Sequence, residues 1–235
     1  MHAWQLIVSP AQPGLINMEF DLQLYRDYEQ GKIAPTLRIY SWKPACITLG
    51  HSQKIEAEIE IERAAALGWD VVKRPTGGGI VFHNEAEVTY SLVMDKDDPQ
   101  LPKGLVPAYK KISEAVVSAL KSLGANAEIK ATRDPRPATR DALCFSYPAE
   151  YEVVAQGRKL VGSAQKRGRK ALLQQGSIFV SPTTSAALEL LRNEHAPLNA
   201  ISLAELMGRV PAFDELSDAL VKGFQETFGI KFNAV

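Results

Sequence analysis

Three segments of this chain carry side chains whose types and spacing could do covalent chemistry. Cys144 stands in LCFSYP, at the end of a basic, proline-bearing run that holds Arg133, Arg136 and Arg140. A lone cysteine is more often a small core hydrophobe than a nucleophile. Positive surroundings, however, favour the thiolate, which is the reactive form. Lys159 follows fifteen residues later and opens a run of apolar or small residues, Leu160, Val161, Gly162, Ser163 and Ala164. A lysine in that setting can point into a cleft, and beside a cysteine it would lower the thiol pKa and orient its attack.

The third segment is RPTGGGIVFH, Arg74 to His83. A phosphate-binding loop would need a Lys-Ser or Lys-Thr pair and then a helix. A dinucleotide fingerprint needs spaced glycines and also a helix. Here the strand formers Ile80, Val81 and Phe82 follow, so both readings fail. What remains is either a tight turn between two strands or a bare backbone wall. Without Cβ atoms at Gly77, Gly78 and Gly79, a ligand could lie against the peptide groups and use their N–H donors. Arg74 would then suit an anionic or carbonyl-bearing ligand. His83 ends a strand, where a histidine is more often structural than a base. His2, His51 and His195 have no supporting context, and Cys46, inside PACITLG, reads as strand core.

Composition narrows the field. The chain has 235 residues, enough to bury a core as one large domain. Lys plus Arg and Asp plus Glu number 27 each, and this balance argues against a non-specific nucleic-acid binder, which would be basic. No run approaches the roughly 20 apolar residues that span a bilayer. The start of the chain shows no secretory pattern, so a cytoplasmic protein with free thiols is expected. Two distant cysteines and four scattered histidines give no zinc spacing.

Strands are expected over WQLIVS near the start, TLRIYSW, ACITLG, DVVKR, IVFH, EVTYSLVM and LLQQGSIFV. In EVTYSLVM, Val88, Tyr90, Leu92 and Met94 share one face while Glu87, Thr89 and Ser91 share the other. YEVVAQGRKLVGSAQKR reads as a hairpin about Gln156–Gly157. Helices are expected from an Asn17 cap to about Gln30, over 56–67 up to Gly68, from Val106 to Leu123 before Gly124, and along Leu216, Leu220, Phe224 and Phe228 before Gly229. Residues 130–143 read as a surface loop. Strands dominate the first two-thirds and helices interrupt them irregularly. That pattern points to an α+β fold with a mixed or antiparallel sheet flanked by helices.

Taken together, RPTGGGIVFHNEAEVTYSLV, GRKLVGSAQKR, LLQQGSI and the opening INMEFDLQLY with PTLRIYSWKPACITLGHSQ resemble the superfamily of lipoate–protein ligases, octanoyltransferases and biotin–protein ligases. The likeness spans roughly residues 3 to 180. Within it, Lys159 stands at the family's essential lysine. Cys144–Phe145, fifteen residues before the lysine, is similar to the cysteine-dependent octanoyltransferases. The resemblance implies a biotin/lipoate–protein ligase-like catalytic domain over 1–235, with no separate accessory C-terminal domain.

It implies a function as well. Cys144 would take octanoyl from octanoyl-acyl carrier protein as a thioester, Lys159 would assist, and the acyl group would pass to a lysine of a lipoyl domain or glycine-cleavage H protein. Arg74, Gly77, Gly78, Gly79, His83 and Ser163 would bind the substrate. No cofactor would be needed, nor nucleic acid, membrane or metal, and the chain would act as a monomer. The basic residues Arg133, Arg136, Arg140, Lys166, Arg167, Arg169 and Lys170 are either a docking face for acidic partners or a solvated surface. Gly79 and the triple glycine look more like the ATP-dependent ligases, which use ATP and Mg²⁺ on an acyl-adenylate. An amidotransferase moving octanoyl from H protein to lipoyl domains would use the same cysteine.

Overall fold

A computed structural model describes residues 3–130, 143–145, 151–193 and 197–234. In chain order the elements begin with β1 (Ala3–Val8), α1 (Gly14–Glu29), β2 (Thr36–Tyr40), β3 (Cys46–Leu49), α2 (Ile55–Glu58) and α3 (Ile61–Ala66). β4 (Asp70–Lys73), β5 (Val81–His83), β6 (Val88–Asp95), α4 (Leu105–Ser122) and β7 (Glu128–Ile129) come next. The remainder is β8 (Val153–Ala155), β9 (Arg158–Arg167), β10 (Ala171–Ile178), α5 (Ser185–Leu188), α6 (Leu203–Met207), α7 (Phe213–Phe228) and β11 (Lys231–Ala234).

The strands form two sheets among the described residues. The larger has the order β11-β1-β2-β6-β10-β9-β8-β7, parallel at β11-β1-β2 and antiparallel beyond. The smaller has the order β4-β3-β5. The mixed-sheet α+β architecture expected from the strand and helix pattern is therefore present.

Side-chain alternation assigns the two faces of the large sheet. Tyr90, Leu92 and Met94 of β6 and Leu172 of β10 join Ile112, Val116 and Leu120 of α4 and Leu216, Leu220 and Phe224 of α7 in the main core. Gly223 lets the two helices meet closely, because a Cβ there would lie 2.4 Å from the Ala115 carbonyl oxygen. The opposite face carries Val93 and Leu173, packed on Leu24, Tyr25 and Tyr28 of α1. The polar set on β6 does not face solvent. Ser91 donates to Asp21 of α1, and Thr89 accepts from the Trp42 indole. Arg38, fully buried, donates to Asp21 and Asn17 from the same side.

Several local expectations change. Asn17 is not an N-cap: α1 starts three residues earlier after Pro13, whose ring fixes φ for a helix entry. The Asn17 amide instead donates to the Gln12 and Ser41 carbonyls, tying the helix to the sheet. The segment 56–67 is two short helices, α2 and α3, broken at Ile59, which is extended. The β8–β9 hairpin turns at Gln156 and Gly157, with φ of 51° and 72°, the sign pattern of a primed two-residue turn. The expected loop at 130–143 falls almost wholly outside the described residues, as do Arg133, Arg136, Arg140, His2 and His195.

Candidate active site

The triple glycine is not a hairpin turn. β4 and β5 do not pair; both flank β3, so the chain must cross the end of β3 between them. The crossing is tight. A Cβ on Gly50, just past β3, would lie 2.0 Å from the Gly78 carbonyl oxygen, and Gly78 itself has φ of +91°. Arg74 holds the crossing from within. Its Nε and Nη2 donate to Gly77 O at 3.1 and 2.7 Å, Nη2 also to Gly79 O at 2.6 Å, and Nη1 to Thr48 O and Oγ1. All the guanidinium N–H groups thus bond to the protein. Added Cβ atoms at Gly77 would meet open space.

A cavity of about 350 Å³, its mouth included, lies between the two sheets. The small sheet contributes Thr48, Val81 and His83. The large one contributes Thr89 from β6, Gly162, Ser163 and Ala164 from β9, and Gln175, Gly176 and Ser177 from β10. Met18, Tyr40 and Trp42 supply apolar wall, and Arg74 and Cys144 close it. Thr89 of β6 and Gln175 and Ser177 of β10 turn inward to line this space. Of the residues singled out in the sequence, Arg74, His83, Cys144 and Ser163 meet at the cavity. Gly77, Gly78 and Gly79 stand behind Arg74 and do not line it.

His83 stacks on Trp42 with ring centroids 4.0 Å apart. Its two nitrogens face Thr48 Oγ1 at 2.9 Å and Ser177 Oγ at 3.3 Å. Burial, with Arg74 nearby, holds its pKa well below the usual imidazole value, so the ring is neutral. Ser177 also donates to Glu87, whose fully buried carboxyl is pushed well up by desolvation despite that bond. Ser163 shares a hydrogen bond with the Tyr90 hydroxyl, and its carbonyl accepts from Tyr109.

Cys144 sits on a short segment pinned at both ends. Its N–H donates to Ile80 O just before β5, and the Asn199 N–H donates to Phe145 O. Lys159 is fixed on β9 by backbone bonds to Asn199 and Ile201. The lysine is 1% exposed. Its Nζ donates to Cys144 O at 2.7 Å and to Cys144 Sγ at 3.5 Å, and reaches Glu152 Oε1 at 2.6 Å. Burial works to lower the Lys159 pKa, but Cys144 and then Glu152 outweigh it, and the net result lies above the ordinary lysine value. Lys159 is an ammonium at neutral pH. Gly162 leaves room beside this pair: a Cβ there would press on the Phe145 ring at 3.2 Å and touch Cys144 Sγ at 3.4 Å. Cys46 is a fully buried core residue whose thiol pKa burial raises, as its surroundings in the sequence imply.

Glu152 is the charged partner of Lys159 that sequence reasoning missed. The signal was available, because a lysine flanked by apolar residues and buried needs a counter-charge. Among the described residues no group of three or more His, Cys, Asp or Glu side chains gathers as a metal site would require. Among the described residues no helix is long and apolar enough to cross a membrane.

Residues 13–225 match the family described as the lipoyl protein ligase A/B catalytic domain. The chain is 34% identical to octanoyltransferase LipM of Kyrpidia tusciae, over 98% of its own length and 89% of the relative's. It is also 34% identical to octanoyltransferase LipM of Geobacillus kaustophilus, over 97% of its length and 87% of the relative's. Among solved structures, the putative lipoate protein ligase Ta0514 of T. acidophilum with bound lipoic acid superposes with a TM-score of 0.80 at 23% identity, over 100% of this chain and 89% of that one. That likeness concerns the fold.

Proposed function

The chain belongs to the lipoyl protein ligase A/B catalytic-domain family, and from that premise we propose that it is an octanoyltransferase of protein lipoylation, with Cys144 as its nucleophile. The observation that carries the assignment of roles is the buried Lys159 ammonium, 3.5 Å from Cys144 Sγ at the wall of the cavity. A free thiol is only a few per cent thiolate near neutral pH. A buried cation fixed at that distance orients the sulfur and offsets negative charge as it develops there during transfer. The hydrogen bond from Lys159 to the Cys144 carbonyl holds the sulfur's own backbone in place.

Met18, Tyr40, Trp42 and Val81 offer an apolar lining for an eight-carbon chain. In the reaction, Cys144 thiolate attacks the thioester carbonyl of an octanoyl donor, acyl carrier protein. The bond from Sγ to the acyl carbon forms, the donor's carbon–sulfur bond breaks, and the donor thiolate leaves and takes a proton from solvent. The unprotonated lysine amine of a lipoyl domain, or of glycine-cleavage H protein, then attacks the acyl-enzyme. The amide forms, the bond to Sγ breaks, and the thiolate returns beside Lys159. The donor thioester supplies the driving force, so neither ATP nor another cofactor enters.

Arg74 acts here mainly by holding the glycine crossing that supports one wall. His83, neutral and stacked on Trp42, and Ser163 shape the acyl path. The test is octanoyl transfer to a purified lipoyl domain from octanoyl-acyl carrier protein without ATP. Cys144→Ser should abolish it and Lys159→Ala should reduce it by at least about a hundredfold, the scale of a general acid–base or activating group. Transfer that persists in Cys144→Ser would overturn the assignment.

A further inference from the structure

The reaction creates a charge problem for the site's buried cation. Lys159 is 1% exposed, and burial disfavours its ammonium form. Two groups offset this, Cys144 and Glu152. Acylation removes the first of them, because the sulfur becomes a neutral thioester. Among the described residues, the acidic partner then left to Lys159 is Glu152, with Oε1 2.6 Å from Nζ. A buried ammonium without a counter-charge gives up its proton.

The backbone around Glu152 is arranged to deliver that carboxylate. Tyr151, immediately before it, has φ of 65°, a left-handed conformation that a tyrosine keeps only where the surroundings impose it. The Tyr151 N–H donates to Lys130 O, and the Lys130 N–H donates to Glu152 O. Just after it, the β8–β9 ladder shifts register between Val153 and Val154. An irregularity of this kind re-aims a side chain relative to the regular pleat. Among the described residues, Tyr109 of α4 and Arg74 also bear on the pair: Tyr109 is pushed up by burial and then by Glu152, and Arg74, lowered by burial, interacts electrostatically with Cys144.

We propose that Glu152 keeps Lys159 in its ammonium form after Cys144 has been acylated, so that the cation is still in place when the thiolate departs. The inference rests on the thioester mechanism above and deepens it. Glu152 acts through Lys159 and is a positioning residue. In the second half-reaction the amine nitrogen bonds to the acyl carbon, its surplus proton goes to solvent, and the electron pair of the breaking bond stays on Sγ. That pair is stabilised by an ammonium that Glu152 has held throughout.

The test needs no octanoyl donor. Methyl methanethiosulfonate converts Cys144 to a neutral S-methylthio form, while Cys46 is fully buried. Lys159 is then titrated by ¹⁵N NMR of its side chain, its signal identified by absence from Lys159→Arg. Glu152→Gln should move the midpoint down by about one pH unit or more relative to the blocked parent, a tenfold loss in proton affinity. A smaller movement, or an upward one, would overturn the proposal. If Glu152→Gln does not fold, Glu152→Asp decides: a measurable fall supports the proposal and no fall overturns it. The octanoyltransferase reading fails separately, by the parent taking no octanoyl group onto Cys144, and leaves this titration readable.

Discussion

Replacing Arg74 by lysine tests why three glycines stand in a row. The guanidinium makes five hydrogen bonds to Gly77, Gly79 and Thr48 from one rigid plane. A lysine ammonium has three donors on a single atom and cannot span those acceptors. Nη2 alone reaches Gly77 O and Gly79 O, so a lysine Nζ at that place could keep both carbonyls, while the buried Thr48 O and Oγ1 would lose their partner. A hydrogen bond to a charged group contributes about 1.5–3 kcal/mol. Gly77 O also loses its bond from Nε, and, being only partly buried, Gly77 recovers some of that from water. The expected destabilisation of Arg74→Lys is therefore about 2–3 kcal/mol, or roughly 4–10 °C in Tm for a chain of this size. Thermal unfolding of the ligand-free protein measures it. If Arg74 served to bind an anionic ligand, the ligand-free Tm would hardly move and only KM would rise. A fall below about 1 °C would refute the clamp.

Other substitutions give equally direct readings. Gly50→Ala places a Cβ 2.0 Å from Gly78 O, and forcing the crossing apart should cost about 1–3 kcal/mol in urea unfolding. Gly162→Ala presses on Phe145 and Cys144 at 3.2 and 3.4 Å, so alkylation of Cys144 and transfer should both slow by about tenfold or more with little change in Tm. Glu87 has its pKa raised by burial, so between the ordinary carboxylate value and that raised value the folded state binds more proton than the unfolded state. Its contribution to stability must then decline as pH rises through that window. Glu87→Gln should gain on the parent from about pH 5 upward, and a difference independent of pH would contradict the assignment. His83 has the opposite sign. Its lowered pKa means that stability falls as pH drops below the ordinary imidazole range of about 6.5, and His83→Gln should flatten that loss.

Much of the fold and part of the site were legible in the sequence, for reasons that differ by residue. Helices α4 and α7 announce themselves because their apolar stripes and the glycines at 124 and 229 are local signals. The alternation in β6 correctly sorted its two faces, but polarity alone could not say that Glu87, Thr89 and Ser91 turn toward an interior lined with hydrogen-bond partners. Cys144 and Lys159 were read as a pair from their surroundings, and the structure places them in contact. Glu152 was hidden in YEVV, where a charged residue in an alternating strand reads as solvent-facing. The crossing over β3 was also hidden, because a turn between two strands and a passage across a third look the same without long-range pairing. Asn17 looked like a cap because two of its real partners, Arg38 and Ser41, are more than twenty residues away.

The central claim is that Cys144 carries the acyl group. The protein is incubated with octanoyl-acyl carrier protein, without ATP, and its intact mass is recorded. The account predicts the gain of one octanoyl group that hydroxylamine removes and that Cys144→Ala never acquires. No adduct under these conditions, with a lipoyl domain modified only once ATP, Mg²⁺ and free octanoate are supplied, would contradict it and leave Cys144 a bystander to ligase chemistry.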